Sequence, residues 1–342
     1  HVRSRRQRQM CIRDRQIDFT FTIIDKKVWD LYSEKEIFKQ IKNPLFINAV
    51  EGEKTVETSL RLIGELLELG ITRGKALVGI GGGITQDIVT FVSSILFRGV
   101  PWTFIPTTLL AQCDSCIGGK SSLNFKSWKN QIGNFYPPKI IYICPEFLKT
   151  LSEQEIRSGI GEMIKVHMVP GQKVYLSMKM FMQDIMSNDE TMFKAIVSAL
   201  EVKKEVIEED EFDTGLRLKM NLGHTFGHAL EAATTYKIPH GLAVNIGILL
   251  AARFAFKRDL IDSQREASIS EYALLNISKD DLAQVDMNVF YTSLKKDKKN
   301  KENQYCFIVP TNKEGVELKY FEMSQQTDEL IDECIKAIWS EL

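Results

Sequence analysis

The run Ala76-Leu77-Val78-Gly79-Ile80 passes without a break into Gly81-Gly82-Gly83, and a helical pattern opens directly behind it. A short, wholly apolar run marks a strand buried on both faces, as in parallel sheets covered by helices. A tight glycine turn between such a strand and a helix N-terminus lets backbone amides approach a pyrophosphate. The three glycines are not the G-x-G-x-x-G fingerprint, so the turn alone leaves a nucleotide site and a plain structural turn both open.

The surrounding chain keeps the same alternation. Residues 19–24, 44–50, 102–105 and 140–144 read as strands, and residues 26–41 and 54–69 as helices, the second ending at Gly70. Beyond about residue 151 the strand signals thin out, and 152–165, 190–210, 224–234 and 241–259 read as helices. The expected fold class is therefore an α/β N-terminal nucleotide-binding domain, residues 17–150, followed by a mainly α-helical C-terminal metal-binding domain, residues 151–342. A length of 342 residues favours two cores over one.

The second half carries three of the five histidines close together. In Arg217-Leu-Lys-Met-Asn221-Leu-Gly-His224-Thr-Phe-Gly-His228, His224 and His228 stand four apart and share one face of a helix. Pro239-His240-Gly241 would bring a third imidazole back from a loop. Two imidazoles and a carboxylate from elsewhere make a zinc site with an open position. Thr225 stands where the His-Glu-x-x-His motif of metalloproteases has its glutamate, so that chemistry is excluded. On spacing alone, satisfied structural histidines remain an equal alternative.

Composition narrows the partners. A net charge of −1 is no support for nucleic acid or a membrane surface as partner, and no uncharged apolar run reaches the roughly 18 residues of a membrane span. Six irregularly spaced cysteines do not form a disulfide framework, which points to a reducing cytoplasm. Cys113 and Cys116 read as small residues in a packed turn. Residues 1–16 hold six arginines, and Met10-Cys-Ile-Arg-Asp-Arg15 looks like translated adapter DNA, so the segment reads as foreign or disordered.

Between the halves, Ile105-Pro-Thr107-Thr108 leads through Asp114 to Gly119-Lys120, and Lys129-Asn130-Gln-Ile-Gly133 follows. Hydroxyls, lysines and glycines in such loops suit a phosphate, although each lysine alone is better explained by a solvated surface charge. Gly161-Glu162-Met-Ile-Lys165 places an acid and a lysine on one helical face.

Taken in order and spacing, these motifs resemble the 3-dehydroquinate synthase family of the sugar-phosphate cyclases. The matching stretches are Gly81-Gly-Gly-x-x-x-Asp87, Arg98-Gly99, 105–120, 129–133, 159–165, 217–231 and His240-Gly-x-Ala-Val244, from about Asp25 to Pro310. The resemblance implies NAD on the first domain, at Gly81, Gly82, Gly83 and Asp87, beside Thr107 and Thr108, with Asp25 and Glu53 on the adenosine side. It implies zinc or cobalt held by Glu162, His224 and His240. Substrate phosphate would meet Lys120, Lys129, Asn130, His228 and a lysine of the Asp297-Lys298-Lys299 run, taken as Lys298. Arg98 would reach the phosphate of a neighbouring subunit, which implies a homodimer. Asp114, Lys165 and Lys203 would hold sugar hydroxyls, and Arg217 with Asn221 a carboxylate.

The implied reaction converts 3-deoxy-arabino-heptulosonate 7-phosphate to 3-dehydroquinate by a borrowed hydride. One hydroxyl is oxidised, the new carbonyl acidifies the neighbouring C–H, phosphate leaves, the hydride is returned, and the opened ring closes as a carbocycle. Three departures stand out. Leu242 replaces the usual acid after His240-Gly241, and Val56 occupies a position three after Glu53 where a charge is expected. The elements ahead of the first strand are lacking, so the frame reads as N-terminally truncated. A sibling cyclase with another sugar phosphate, a polyol dehydrogenase and a non-catalytic NAD-binding homologue are the alternatives. The phosphate-site lysines argue against the dehydrogenase.

Overall fold

The computed structural model describes residues 17–342 apart from Ser127, Thr214, 283–284 and 313–314; the arginine-rich segment 1–16 lies outside the described residues. Two compact units divide between Leu151 and Ser152.

The first unit runs β1 (Thr22–Asp25), α1 (Lys26–Tyr32), β2 (Pro44–Ile47), α2 (Val56–Glu68), β3 (Leu77–Gly81), α3 (Gly83–Ile95), β4 (Trp102–Pro106), a hairpin of β5 (Leu123–Phe125) and β6 (Trp128–Ile132), and β7 (Ile140–Ile141). Five strands form one sheet in the order β2-β1-β3-β4-β7, every neighbouring pair parallel. All five residues of β3 are buried, as its unbroken apolar run requires. The chain passes from β1 to β2 on one side and then to β3 on the other. The carboxyl ends of β1 and β3, at Asp25 and Gly81, therefore flank the crevice where the winding reverses, the usual ligand position in open α/β sheets.

The helix expected over residues 26–41 is shorter. It stops at Tyr32, and the chain turns so that Phe38 stacks on Tyr32 at 5.9 Å and meets Phe147 edge-on at 6.3 Å. Aromatic burial there outweighs continuation of an amphipathic helix. The strand over 140–144 likewise pairs only at Ile140 and Ile141.

The second unit runs α4 (Glu153–Met168), α5 (Gln172–Met182), α6 (Asp189–Glu209), α7 (His224–Ala233), α8 (His240–Lys257), α9 (Ser263–Leu275), α10 (Met287–Lys295), β8 (Gln304–Pro310), β9 (Val316–Glu322) and α11 (Gln325–Glu341). Helix α8 is buried without interruption from Gly241 to Ala252, so it forms the centre of the bundle. Helix α4 starts at a complete capping box, Ser152 with Glu155.

The second half is mainly helical, as expected, and includes one antiparallel hairpin, β8–β9, where no strands were read from the sequence. The hairpin's inward aromatics supply the reason: Phe307 lies 4.6 Å from Phe226 and 5.3 Å from Phe254, and Phe321 lies 4.9 Å from Phe254. No described helix is long and apolar enough to cross a membrane.

Candidate functional site

In the first unit the glycine turn is built for close approach. A Cβ on Gly81 would lie 2.2 Å from Thr85 Oγ1, whereas one on Gly83 would meet nothing within 4 Å. The first glycine thus closes the turn, and the third leaves open space at the start of α3. Thr107 N donates to the Gly81 carbonyl at 2.9 Å, which joins the ends of β3 and β4. Thr108 Oγ1 accepts from Ala111 N at 3.2 Å. Asp25 caps α1 by accepting from Lys27 N at 3.0 Å, and Glu53 accepts from Thr58 Oγ1 at 3.2 Å.

One turn into α3, Asp87 meets Lys54 Nζ at 3.1 Å, and the same ammonium reaches Asn130 Oδ1 at 2.7 Å. Burial pushes the Asp87 carboxyl up to about 6; the charge and hydrogen bond of Lys54 oppose this without cancelling it. Lys54 was not singled out by sequence reasoning. Its only signal is its place after Gly52-Glu53, just ahead of Thr55, the N-cap of α2. Val56, where a charge was expected, opens that helix, and the charge near Asp87 comes from Lys54 instead. Asn130 lies on β6 in a left-handed conformation, φ 56°, and Lys129 Nζ stands 3.7 Å from Glu51.

Asp114 is buried in a π-helical turn, 111–115, with Cys113; Cys116, the next residue, is buried as well. Lys120 is exposed. Arg98 is exposed in a turn where Phe97 and Arg98 both have positive φ, 51° and 64°. Two successive left-handed side chains are a strained arrangement.

In the second unit three helices converge. A Cβ on Gly161 would lie 2.1 Å from the Gly241 carbonyl, and one on Gly241 would lie 1.8 Å from the Ser158 carbonyl. These contacts let α4 and α8 touch backbone to backbone, which sets Glu162 beside His240. Gly223, at φ 77°, provides the left-handed N-cap that starts α7 at His224. His240 is itself the first residue of α8, so it is held by a helix and not by a loop.

The ligand atoms of Glu162, His224 and His240 lie within 4.8 Å of one another. His240 Nε2 stands 3.5 Å from Glu162 Oε1. Two ligands about 2.0–2.2 Å from one tetrahedral ion stand about 3.4 Å apart, so this spacing fits a shared cation. Glu162 Oε1 is buried without a hydrogen bond among the described residues. Its other oxygen receives Lys165 Nζ at 2.5 Å. A buried carboxylate oxygen aimed at two imidazoles and left without a donor fits a metal ligand.

The three imidazoles form a triangle, with ring centres 5.2 Å apart for His224 and His240, 5.4 Å for His224 and His228, and 5.8 Å for His228 and His240. Burial, then Lys165 and the other two histidines, hold His224 well below the ordinary histidine range, so it is neutral and ready to ligate. His228 keeps solvent access, yet surrounding protein and His240 bring it down to about 4. Burial pulls His240 down, but Glu231 and Glu162 outweigh it and the net shift is upward.

Lys203, on α6, is buried, as is Arg217, which lies in the 3₁₀ turn 216–221. The Arg217 guanidinium donates to the Glu211 carbonyl, and Asn221 Nδ2 donates to the Leu218 carbonyl at 3.0 Å. Within the lysine run, Lys298 is exposed, whereas Lys299 pairs with Asp297 at 2.8 Å and contributes to the field on His228. Leu242 is fully buried in α8.

Residues 44–158 match the family model of the 3-dehydroquinate synthase N-terminal domain, and residues 159–300 that of the C-terminal domain. A 3-dehydroquinate synthase of Streptococcus equi subsp. equi (strain 4047) is 35% identical over 320 residues, 91% of this chain and 86% of that protein. Among solved structures, ValA, a 2-epi-5-epi-valiolone synthase from Streptomyces hygroscopicus subsp. jinggangensis 5008 with NAD⁺ and Zn²⁺ bound, superposes with a TM-score of 0.78. It is 22% identical, over 94% of this chain and 91% of that one. A 2-deoxy-scyllo-inosose synthase complexed with carbaglucose-6-phosphate, NAD⁺ and Co²⁺ also has a TM-score of 0.78, at 24% identity over 93% and 89%.

The fold, a Rossmann-like α/β domain followed by a helical domain, is that of the dehydroquinate synthase-like class. At the level of sequence the match is closer. The chain belongs to the 3-dehydroquinate synthase family, within the sugar-phosphate cyclase superfamily.

Proposed function

We propose that this chain catalyses the NAD- and divalent-metal-dependent conversion of 3-deoxy-arabino-heptulosonate 7-phosphate to 3-dehydroquinate with release of phosphate, the 3-dehydroquinate synthase step of the shikimate route to aromatic amino acids. The observation that carries this is the convergence of Glu162, His224 and His240 with an orphaned buried carboxylate oxygen. The preference for this substrate rests on the 35% identity to the Streptococcus enzyme, against 22% and 24% for the two sibling cyclases.

In this reading Glu162, His224 and His240 hold zinc or cobalt, and Gly81, Gly82, Gly83, Asp87, Thr107 and Thr108 carry NAD, with Asp25 and Glu53 toward the adenosine. The bound groups supply Lewis acidity for the substrate hydroxyls and a reversible hydride acceptor. The chain's side chains do the rest. Lys120, Lys129 and Asn130 bind phosphate, together with Arg98 contributed to a second copy in a homodimer. From the second unit the lysine run contributes Lys298 or Lys299, the latter paired with Asp297 and acting on the field at His228. Asp114, Lys165 and Lys203 orient the hydroxyls, and Arg217 with Asn221 receives the carboxylate. His228, neutral at pH 7, can accept a proton at a ring nitrogen. Such orientation of a flexible intermediate is worth several kcal/mol.

The test is a phosphate-release assay on the heptulosonate phosphate, with and without NAD⁺ and divalent metal. Phosphate should appear only with both, and without growth of the nicotinamide absorbance near ~340 nm, because the hydride is returned. NADH accumulating in step with product would instead favour a dehydrogenase.

A further inference from the structure

We infer that Glu231 is the positioning residue for His240, a role that rests on the reading of Glu162, His224 and His240 as a divalent-metal site. Glu231 lies on α7 three residues beyond His228 and seven beyond His224, so all three project from one face of the helix. From there Glu231 Oε2 stands 3.2 Å from His240 Nδ1. The opposite nitrogen of the same ring, Nε2, faces Glu162 Oε1 at 3.5 Å.

An imidazole that donates Nδ1–H to a carboxylate presents an unprotonated Nε2, and the hydrogen bond also fixes the ring plane. The other two ligands are arranged in the same way. His224 Nδ1 lies 3.2 Å from the Leu222 carbonyl, and Glu162 Oε2 receives Lys165 at 2.5 Å. On each ligand one polar atom is thus held by a partner within the unit. The atoms that remain are Glu162 Oε1 and the Nε2 of each histidine.

Glu231 could instead be a ligand of a separate ion, because His228, Glu231 and His240 also bring one donor each within 4.8 Å. That ion would take His240 through Nδ1 and remove the proton that Glu231 accepts. The two arrangements are mutually exclusive at His240, so they can be told apart.

The experiment titrates metal-free protein with Zn²⁺ against a chelating indicator, for wild type, Glu231→Ala and Glu231→Gln. Glu231→Ala should bind zinc about 10- to 100-fold more weakly, the usual effect of removing a partner of a metal-bound histidine. Glu231→Gln keeps an acceptor oxygen and should stay within about tenfold of wild type, with the melting temperature of the metal-free protein unchanged. Nitrogen-15 spectra of zinc-loaded wild type should show His240 coordinated through Nε2 and protonated at Nδ1, a readout that stands even if Glu231→Ala does not fold. Undiminished affinity in Glu231→Ala, coordination through Nδ1, or two zinc equivalents of which Glu231→Ala loses one would each overturn the inference. Wild type that takes up no zinc would overturn it together with the metal reading. Wild-type uptake with full affinity in Glu231→Ala would remove the role of Glu231 alone.

Discussion

Lys54 Nζ lies 2.7 Å from Asn130 Oδ1, so a buried cation just ahead of α2 is tied to the second strand of the β5–β6 hairpin. The same ammonium pairs with Asp87 on α3. One side chain thereby joins the helix that follows the glycine turn to the hairpin proposed to bind phosphate.

Replacing Lys54 by Met leaves the Asp87 carboxylate buried and without its cation. Removal of one member of a fully buried pair costs about 3–5 kcal/mol, and the Asp87 side chain keeps 19% exposure, so the cost here is smaller. Asp87 can take up a proton, so a loss of about 2–4 kcal/mol is expected at pH 7.5 and a smaller one at pH 5, where the carboxyl is neutral. Urea unfolding at the two pH values checks this; an equal loss at both would contradict it.

Asp87 also sets a pH dependence. Its carboxyl is raised from 3.8 to about 6 in the folded chain. Between those values the native state holds a proton that the unfolded state has released, so this group's contribution to stability is complete below about pH 4 and is lost as pH rises through 6. The full span is at most about 3 kcal/mol. Subtracting the stability of Asp87→Asn from that of wild type at pH 4.5 and at pH 7 should expose the decline. A flat difference would show that Asp87 titrates normally.

His224→Ala removes a neutral imidazole from the Glu162, His224 and His240 set. Bound metal and phosphate release should disappear together, while addition of NAD⁺ still shifts the melting temperature, because the proposed dinucleotide residues lie in the other unit. Elemental analysis showing full metal occupancy in His224→Ala would dismiss this ligand set.

Arg217→Lys tests the substrate. A guanidinium binds a carboxylate through two parallel hydrogen bonds, and an ammonium offers a single point of charge. The change should lower kcat/KM on the heptulosonate phosphate about 10- to 100-fold, the equivalent of about 1.5–3 kcal/mol. Arg217 also donates to the Glu211 carbonyl, so it braces the turn ahead of His224. Metal content and melting temperature must be measured on the same preparation. If both are normal and kcat/KM is unchanged, the assignment of Arg217 to a substrate carboxylate fails.

By itself the sequence determined what short-range chemistry can encode. The apolar run ending at Gly81 dictated a buried parallel strand and a helix behind it, and the spacing of His224 and His228 put both on one helical face. The motif resemblance named Glu162 and His240 as partners, but only the tertiary structure brought them together. Gly161 and Gly241 are far apart in sequence, and their lack of side chains matters only because the backbones of α4 and α8 come into contact there. Lys54 was invisible for the same reason, since the two side chains it hydrogen-bonds, Asp87 and Asn130, are distant in the chain. The β8–β9 hairpin was missed because its aromatic face is stabilised by Phe226 and Phe254, which lie on helices elsewhere in the unit. Periodicity and turn residues act over a few positions. Strand pairing, helix contact and the approach of Glu231 to His240 depend on distances that only the folded chain sets.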